Sequence, residues 1–248
     1  MESGVDSDPF IGRRGLMKAA AVGLIAYNSA SYIPDVKAQS SSLAEQKWDF
    51  ETGGVVGSSP TVVEDTVYFG SGDGNLYAVD TSSGEQEWRF ETRGQVASSP
   101  TVVEDTVYVG SIDNNLYAVD TSSGEQEWRF ETGGAVDSSP TVTDNTVYFG
   151  SYDNNLYAVD TSSGEQEWDF ETADAVASSP TVVGDTVYVG SGDGNLYAVE
   201  TSSGELKWSF GTEGGVWSSP TVVEDTVYVG SIDNNLYAVD TSSGEQEW

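Results

Sequence analysis

The residues best suited to chemistry in this sequence are carboxylates, because the sequence contains neither histidine nor cysteine. This composition excludes a serine–histidine hydrolytic site, a thiolate nucleophile and the common zinc and copper sites. Aspartate, asparagine and glycine recur in short stretches such as residues 72–75, which lack the spacing and glycine position of an EF-hand calcium loop. No pair of carboxylates stands apart from these stretches as an acid–base set. We therefore predict no catalytic residue and no metal ligand.

The carboxylates belong to a repeat that runs through most of the chain. The stretch AVDTSSGEQEW occupies residues 78–88 and recurs unchanged at 118–128, 158–168 and 238–248, while residues 198–208 read AVETSSGELKW. The tryptophans on this repeat are spaced by 40 residues: Trp48, Trp88, Trp128, Trp168, Trp208 and Trp248. A period near 40 residues is typical of stacked supersecondary units such as helix pairs or propeller blades.

The pattern inside one unit favours propeller blades. Four short runs rich in valine, tyrosine, phenylalanine and tryptophan occupy residues 59–63, 66–70, 75–80 and 85–92, with turn residues between them and no helical periodicity. Pro60 and its equivalents begin the first run, which makes that strand the innermost, and charged residues make the last strand the outer edge. We predict an all-β propeller of four-stranded antiparallel blades, built from about five repeats.

The repeated stretch resembles the tryptophan-docking motif of the PQQ-like (pyrroloquinoline quinone) repeat β-propeller family. Its pattern is A-x-D-x-x-S-G-x-x-x-W, and Ser83 stands where that family usually has threonine. The resemblance implies that the tryptophan of one blade packs on the alanine of its own motif and against the glycine turn of the next blade. Trp88 would then lie near Ala78 and the turn at Gly124. The other implied docking glycines are Gly84, Gly164 and Gly204.

The resemblance also raises the question of a cofactor. The family's dehydrogenases bind PQQ and calcium, and they use a vicinal cysteine pair, an aspartate base, and long inserted loops. This sequence has no cysteine and no such insertions. We therefore predict no cofactor and a non-catalytic protein, with a PQQ- and calcium-dependent oxidoreductase, or a subunit of one, as the alternative.

Closure of the propeller is left open by the sequence. The units supply five sets of inner strands, but six tryptophan-containing outer strands, so that one outer strand is surplus. Residues 46–52 could complete the fifth blade and fasten the N-terminal end to the C-terminal end, or the chain could be an arc of a larger ring. We favour a five-bladed ring or near-ring. Propellers of this family commonly have eight blades. Near-identical repeats also favour strand exchange between chains.

The units differ most between the outer strand of one blade and the first strand of the next. These five connection segments are residues 53–57, 93–97, 133–137, 173–177 and 213–217. Variable loops on a uniform scaffold are where binding specificity usually resides, although drift between duplicated units also produces such differences. The candidate ligand or partner residues there are Arg93, Gln95, Asp137, Asp174, Glu213 and Trp217. Trp217, the one tryptophan off the repeat, is either a ligand platform or a packed residue at the closure.

The charge balance bears on the partners. Acidic residues number 41 against 9 basic ones, for a net charge of -32. This excludes a nucleic-acid binder, which needs the opposite sign. Such acidity with few lysines is typical of proteins from salt-loving archaea, where it serves solubility or holds hydrated cations at the surface.

The N-terminus has the features of an export signal. Arg13 and Arg14 precede the apolar residues 19–27, as in a twin-arginine (Tat) signal, and this run is too short for a stable membrane span. We assign residues 1–38 to a signal peptide and 39–248 to the propeller; an ordinary N-terminal tail is the alternative.

The protein would be extracellular or at the cell surface, acting as a binding or assembly scaffold for a protein partner or through self-association. A ligand-sensing module, or a truncated or recently duplicated gene product, also fits the sequence.

Overall fold

The computed structural model describes residues 45–247, so the predicted signal peptide and Trp248 lie outside the described residues. Every regular element in the described part is a β-strand, and the strands form five separate antiparallel sheets. The predicted all-β architecture is therefore confirmed. No helix in this part is long and apolar enough to cross a membrane.

The sheets follow one another along the chain and are called blades 1 to 5. Blade 1 consists of β1 (Thr61–Val63), β2 (Thr66–Gly70), β3 (Asn75–Asp80) and β4 (Gln86–Glu91). Blade 2 consists of β5 (Thr101–Val103), β6 (Thr106–Ser111), β7 (Asn115–Asp120) and β8 (Gln126–Glu131). Blade 3 consists of β9 (Thr141–Thr143), β10 (Thr146–Gly150), β11 (Asn155–Asp160) and β12 (Gln166–Glu171). Blade 4 consists of β13 (Thr181–Val183), β14 (Thr186–Gly190), β15 (Asn195–Glu200) and β16 (Leu206–Gly211). Blade 5 consists of β17 (Thr221–Val223), β18 (Thr226–Gly230) and β19 (Leu236–Asp240).

Each blade is a meander whose strands pair in sequence order. The turn between the second and third strands places glycine or asparagine in the left-handed region, with φ of 87° at Gly74 and 72° at Asn114. These are the residue types that adopt this conformation at the lowest cost. The register then sets Ala78 opposite Trp88 and Leu76 opposite Phe90, with a bulge between Ala78 and Val79.

The hydrophobic core lies between successive blades. Leu76 and Ala78 of blade 1 form one buried cluster with Val107 and Val109 of blade 2, and the same cluster recurs at the next three junctions. Because each face buries its apolar residues on the neighbouring blade, the repeat is stabilised by its junctions as well as by each sheet.

The first strands of successive blades lie side by side. The backbone N–H of Ser59 donates to the hydroxyl of Ser99 at 2.9 Å, and the hydroxyl of Thr61 donates to the carbonyl of Pro100 at 2.5 Å. Equivalent bonds join each later pair of neighbouring blades up to blade 5. This arrangement agrees with the first strand as the inner strand of the blade.

The fifth blade differs from the other four. Its sheet has three strands, and the chain after β19 adds only an isolated bridge between Val239 and Gln246. Residues 46–52, which the closed alternative would use as the fourth strand, belong to no strand. The five blades agree with the prediction, but within the described residues no strand pairing closes them into a ring.

Candidate functional site

The repeated tryptophans join the blades. The indole N–H of Trp88 donates to the carbonyl of Thr121 at 2.7 Å, and its ring covers Gly124, where a Cβ would lie 2.7 Å from the ring atom Cδ2. Gly124 has φ of 69°, so the turn needs glycine both for its backbone and for the ring above it. The same contact is made by Trp48 on Gly84, Trp128 on Gly164, Trp168 on Gly204 and Trp208 on Gly244.

The connection segments lie against the turns between the second and third strands of two neighbouring blades. In the segment that enters blade 2, the N–H of Val96 donates to the carbonyl of Ser71 in blade 1 at 3.0 Å. The carbonyl of Gln95 accepts from the N–H of Ile112 in blade 2, also at 3.0 Å. The later segments make equivalent bonds. The five segments and these turns therefore form one surface, which we call the connection face.

One aspartate per blade holds this surface together. In blade 2, one carboxylate oxygen of Asp113 accepts from the hydroxyl of Tyr117 at 2.8 Å and from the N–H of Arg93 at 2.9 Å. Burial raises the pKa of Asp113, but hydrogen bonds from Asn115, Arg93 and Tyr117 outweigh it, and the pKa lies below its ordinary value. Burial and the bond to Asp113 raise the pKa of Tyr117 to about 12. The equivalent aspartates are Asp73, Asp153, Asp193 and Asp233.

In the sequence these aspartates look like turn residues alone, and their link to the connection segments becomes visible only in the structure. The signal was the recurrence of S-x-D-x-N-x-Y in every unit, which sets a carboxylate and a tyrosine four residues apart. A second variable position lies in the same turn and was not among the predicted site residues. This position is occupied by Gly72, Ile112, Tyr152, Gly192 and Ile232, and the three larger side chains are exposed.

Arg93 and Gln95 lie where blades 1 and 2 meet. Both side chains are exposed. Two open pockets of about 340 and 480 Å³ adjoin each other there, and Gly72 and Gln95 line both of them. Arg93 lines the second pocket together with Ile112. The bare glycine at position 72 leaves the room that a larger side chain would fill.

Asp137 faces Tyr152 of blade 3. The tyrosine hydroxyl donates to Oδ2 of Asp137 over 3.5 Å, while the buried oxygen Oδ1 has no hydrogen-bond partner within residues 45–247. Burial and the nearby carboxylate raise the pKa of Tyr152.

Trp217, in the segment that enters blade 5, packs against the preceding blade, blade 4. A Cβ on Gly192 would lie 2.5 Å from the outer edge of the Trp217 ring and 3.2 Å from the carboxyl carbon of Asp174. The structure therefore brings Asp174 and Trp217 together over a glycine, and leaves 39% of Trp217 exposed. Glu213 is exposed, and its backbone N–H donates to Asp233 at 3.0 Å. Trp217 is thus partly packed and partly available to a ligand.

The described residues were also compared with what a metal ion would need. Nowhere in residues 45–247 do three histidine, cysteine, aspartate or glutamate side chains converge to hold a metal ion. The inter-blade pockets away from the connection face, of about 410 to 710 Å³, repeat with the blades and are lined by tryptophan, tyrosine, serine and carboxylates.

Comparison with known proteins identifies the family. A family model described as outer membrane protein assembly factor BamB matches residues 35–174 and 158–248. The chain belongs to this family. The PQQ-like repeat propeller predicted from the tryptophan motif is thereby confirmed.

Solved structures share the fold. The crystal structure of BamB from Moraxella catarrhalis has a TM-score of 0.72 and 22% identity, covering 81% of this chain and 66% of that one. The crystal structure of the computationally designed protein Ika8 has a TM-score of 0.66 and 16% identity, covering 72% of this chain and 56% of that one. The chain thus spans less than two thirds of the length of either protein. No curated protein matches the chain in sequence.

Proposed function

We propose that the chain is an exported, non-catalytic propeller that acts as a binding or assembly scaffold and engages a protein partner through the connection face. Membership of the family described by the assembly factor BamB supports a scaffold. The twin arginines Arg13 and Arg14, with the apolar residues that follow, support export through the Tat route to the cell surface or beyond.

The observation that carries the proposal is the contrast between backbone and side chains on the connection face. The main-chain hydrogen bonds of Gln95, Ala135, Ala175 and Gly215 to the neighbouring turns repeat at 2.9 to 3.0 Å. The side chains on this constant backbone differ in charge, size and polarity from blade to blade. A constant scaffold that presents different side chains on one surface is the usual arrangement of a specific binding face.

The chemistry of the face favours a protein with a basic surface. Exposed Ile112, Tyr152 and Trp217 supply aromatic and apolar contacts of the kind enriched at protein interfaces. Asp174 lies beside Trp217, and exposed Glu213 adds a second carboxylate, against one basic residue, Arg93, in the connection segments. Opposite charge on the partner would speed encounter and select against acidic proteins.

Site-specific cross-linking tests this proposal. A photo-reactive amino acid is placed at position 95 or 213 on the connection face, and at position 206 on the exposed outer strand as the matched control. After irradiation in the native host, we expect one predominant protein adduct from positions 95 and 213 and not from 206. In the purified complex, Trp217→Ala should then weaken binding by about tenfold or more, as for an interface aromatic. Identical adducts from all three positions, or none from a chain with native near-UV circular dichroism, would overturn the proposal.

A further inference from the structure

The four junctions between neighbouring blades repeat one set of contacts. At the first junction, Val96 of the connection segment packs on the bare backbone of Gly70, and Leu76 is fully buried against blade 2. The later pairs are Val136 on Gly110, Val176 on Gly150 and Val216 on Gly190. The leucines at these junctions, Leu76, Leu116, Leu156 and Leu196, are all inaccessible to solvent.

Blades 1 and 5 each carry one unmatched half of this junction. On blade 1, Val56 is 48% exposed and Val62 58% exposed, whereas the counterparts of Val56 are buried and those of Val62 at least half-buried. On blade 5, Leu236 is 64% exposed, and no valine of residues 45–247 covers Gly230. The two halves therefore present the valines and the glycine–leucine surface that pack together four times within the chain.

The polar groups of the two halves match as well. In the internal junctions, a serine N–H donates to the next serine hydroxyl, and a threonine hydroxyl donates to the next proline carbonyl. On blade 5, the N–H of Ser219 and the hydroxyl of Thr221 make no such bond within the described residues. On blade 1, the hydroxyl of Ser59 and the carbonyl of Pro60 accept none in that part of the chain. Two donors and two acceptors are thus left in the positions of the repeated junction.

A strand is also available for the edge of blade 5. Residues 46–52 read QKWDFET, close to the QEWRFET of β4 and the residue after it. Their backbone makes no hydrogen bond within residues 45–247. Trp48 is already docked on Gly84, and Phe50 packs against Tyr77 with ring centres 5.3 Å apart. Paired with β19 as β4 pairs with β3, this strand would set Trp48 opposite Ala238 and Phe50 opposite Leu236.

Charge favours this strand over the chain's own residues 245–247 at that edge. Lys47 occupies the repeat position of Lys207, whose ammonium group contacts Asp185 at 2.7 Å and donates to the hydroxyl of Thr186 at 2.8 Å. In blade 5 the equivalent position is held by Glu247, which lies near Asp225 in the repeat. Lys47 at this edge would replace an acidic neighbour of Asp225 by a basic one.

We propose that blade 5 of one copy binds blade 1 and residues 46–52 of a second copy. The surface borders the connection face at Val56, which belongs to the first connection segment, but its occupant is a second copy of the chain and not the partner protein. The contact is head-to-tail, because it joins two different surfaces, and each copy keeps one free half for a further copy. The added strand completes the fifth sheet and displaces residues 245–247 from its edge.

Sedimentation velocity of the full chain in molar salt tests the proposal. We expect a dimer or a larger assembly at micromolar concentration. Leu236→Asp on blade 5 and Val56→Asp on blade 1 should each raise the dissociation constant by about tenfold or more, since each removes one buried aliphatic side chain. Leu206→Asp is the matched control, because this exposed leucine lies on β16 outside both surfaces.

Mixing the two variants gives the sharper result. Leu236→Asp keeps an intact blade 1 surface and Val56→Asp an intact blade 5 surface, so the mixture should form a heterodimer with one copy of each and nothing larger.

A charge exchange provides a second test that leaves the apolar residues untouched: Lys47→Glu should weaken association, and Asp225→Lys in the other copy should restore it. A monomeric wild-type chain, or a mixture that stays monomeric, would overturn the proposal.

Discussion

At the scale of single residues, glycine can be required for its left-handed backbone or for the space that its missing side chain leaves. Substitutions at Gly124 and Gly184 separate these two requirements. Gly124 has φ of 69° and lies under the ring of Trp88. Gly184 in blade 4 has φ of 59°, and a Cβ there would meet nothing within 4 Å. The first position therefore needs both the backbone conformation and the space, and the second needs the conformation alone.

Gly184→Ala should cost about 1 kcal/mol of unfolding free energy, from the left-handed backbone. Gly124→Ala should cost a further 1–3 kcal/mol or so, because the new methyl group overpacks the Trp88 ring. Denaturant unfolding of both variants beside wild type measures the difference. Equal costs for the two substitutions would show that the ring does not press on the turn.

The aspartate of each docking motif shapes the turn that receives the tryptophan. Hydrogen bonds from the side chains of Ser162 and Ser163, and from their backbone N–H groups, lower the pKa of Asp160 to about 2. Asp80, Asp120 and Asp240 are held in the same way. A folded pKa below the ordinary value of 3.8 means that the charged carboxylate stabilises the fold.

Asp160→Ala should therefore destabilise the protein fully above about pH 4 and progressively less as the pH falls through about 2. Glu165→Ala in the same turn is the control, since it removes an equal charge without these bonds. Urea midpoints of both variants and wild type over this range measure the effect. A stability difference that stays constant down to pH 2 would contradict it.

The role of a residue could be predicted from the sequence when its partners belong to a recognised motif, and not when they lie outside it. The eleven-residue motif pointed to tryptophan rings lying on glycine turns, and the Trp88 ring lies on Gly124. The link from Asp113 to the backbone of Arg93 was missed, because its partner lies 20 residues away in the connection segment between blades 1 and 2. A turn-forming aspartate looks the same in sequence whether or not its second carboxylate oxygen accepts hydrogen bonds from another segment.

At the scale of elements, each outer strand is fastened to the next blade by one tryptophan. Trp168 of β12 donates to the carbonyl of Thr201 at 2.8 Å, and its ring lies on Gly204 in blade 4. The ring contributes buried area, and the hydrogen bond fixes its orientation.

Trp168→Phe should cost about 1 kcal/mol for the lost hydrogen bond, and Trp168→Ala about 3–5 kcal/mol for the lost ring. Because repeat proteins are stabilised by nearest neighbours, the loss should be concentrated in blades 3 and 4. Native-state hydrogen exchange of β12 and β14 measures it, with β2 of blade 1 as the internal control. A loss of protection spread evenly over all five blades would argue against local docking.

Blade 4 shows two substitutions that compensate each other. Glu200 stands where the other motifs have aspartate, and Lys207 where they have glutamate. The ammonium group of Lys207 contacts the Glu200 carboxylate at 2.9 Å. Among the described residues, the longer carboxylate accepts only one hydrogen bond from the serines of its turn, from the hydroxyl of Ser202 at 3.4 Å, and the ion pair with Lys207 supplies a further partner.

The sequence predicted the blades because alternating apolar residues and turn residues specify each meander locally. It left the fifth blade undecided, because either of two nearly identical segments can occupy the edge of β19. Local patterning does not distinguish residues 46–52 from residues 245–248. The choice depends on contacts between blades that lie far apart in sequence.

At the scale of the whole molecule, we expect the net charge of -32 to make folding depend on salt. At low ionic strength these charges repel one another over about 30 Å, whereas at 1 M salt the screening length is about 3 Å. Near-UV circular dichroism should therefore collapse on dialysis from molar to millimolar salt. Sucrose is the control, since it favours compact states without screening charge. A spectrum unchanged at low salt, or restored equally by sucrose, would contradict an electrostatic cause.

The most direct test of the scaffold account is a calorimetric titration of the chain with PQQ and calcium in molar salt, with tryptophan fluorescence recorded in parallel. A non-catalytic scaffold predicts no saturable heat and no fluorescence change, while near-UV circular dichroism shows the fold intact. Saturable binding near one PQQ per chain would contradict the account and identify the protein as a quinoprotein oxidoreductase or a subunit of one.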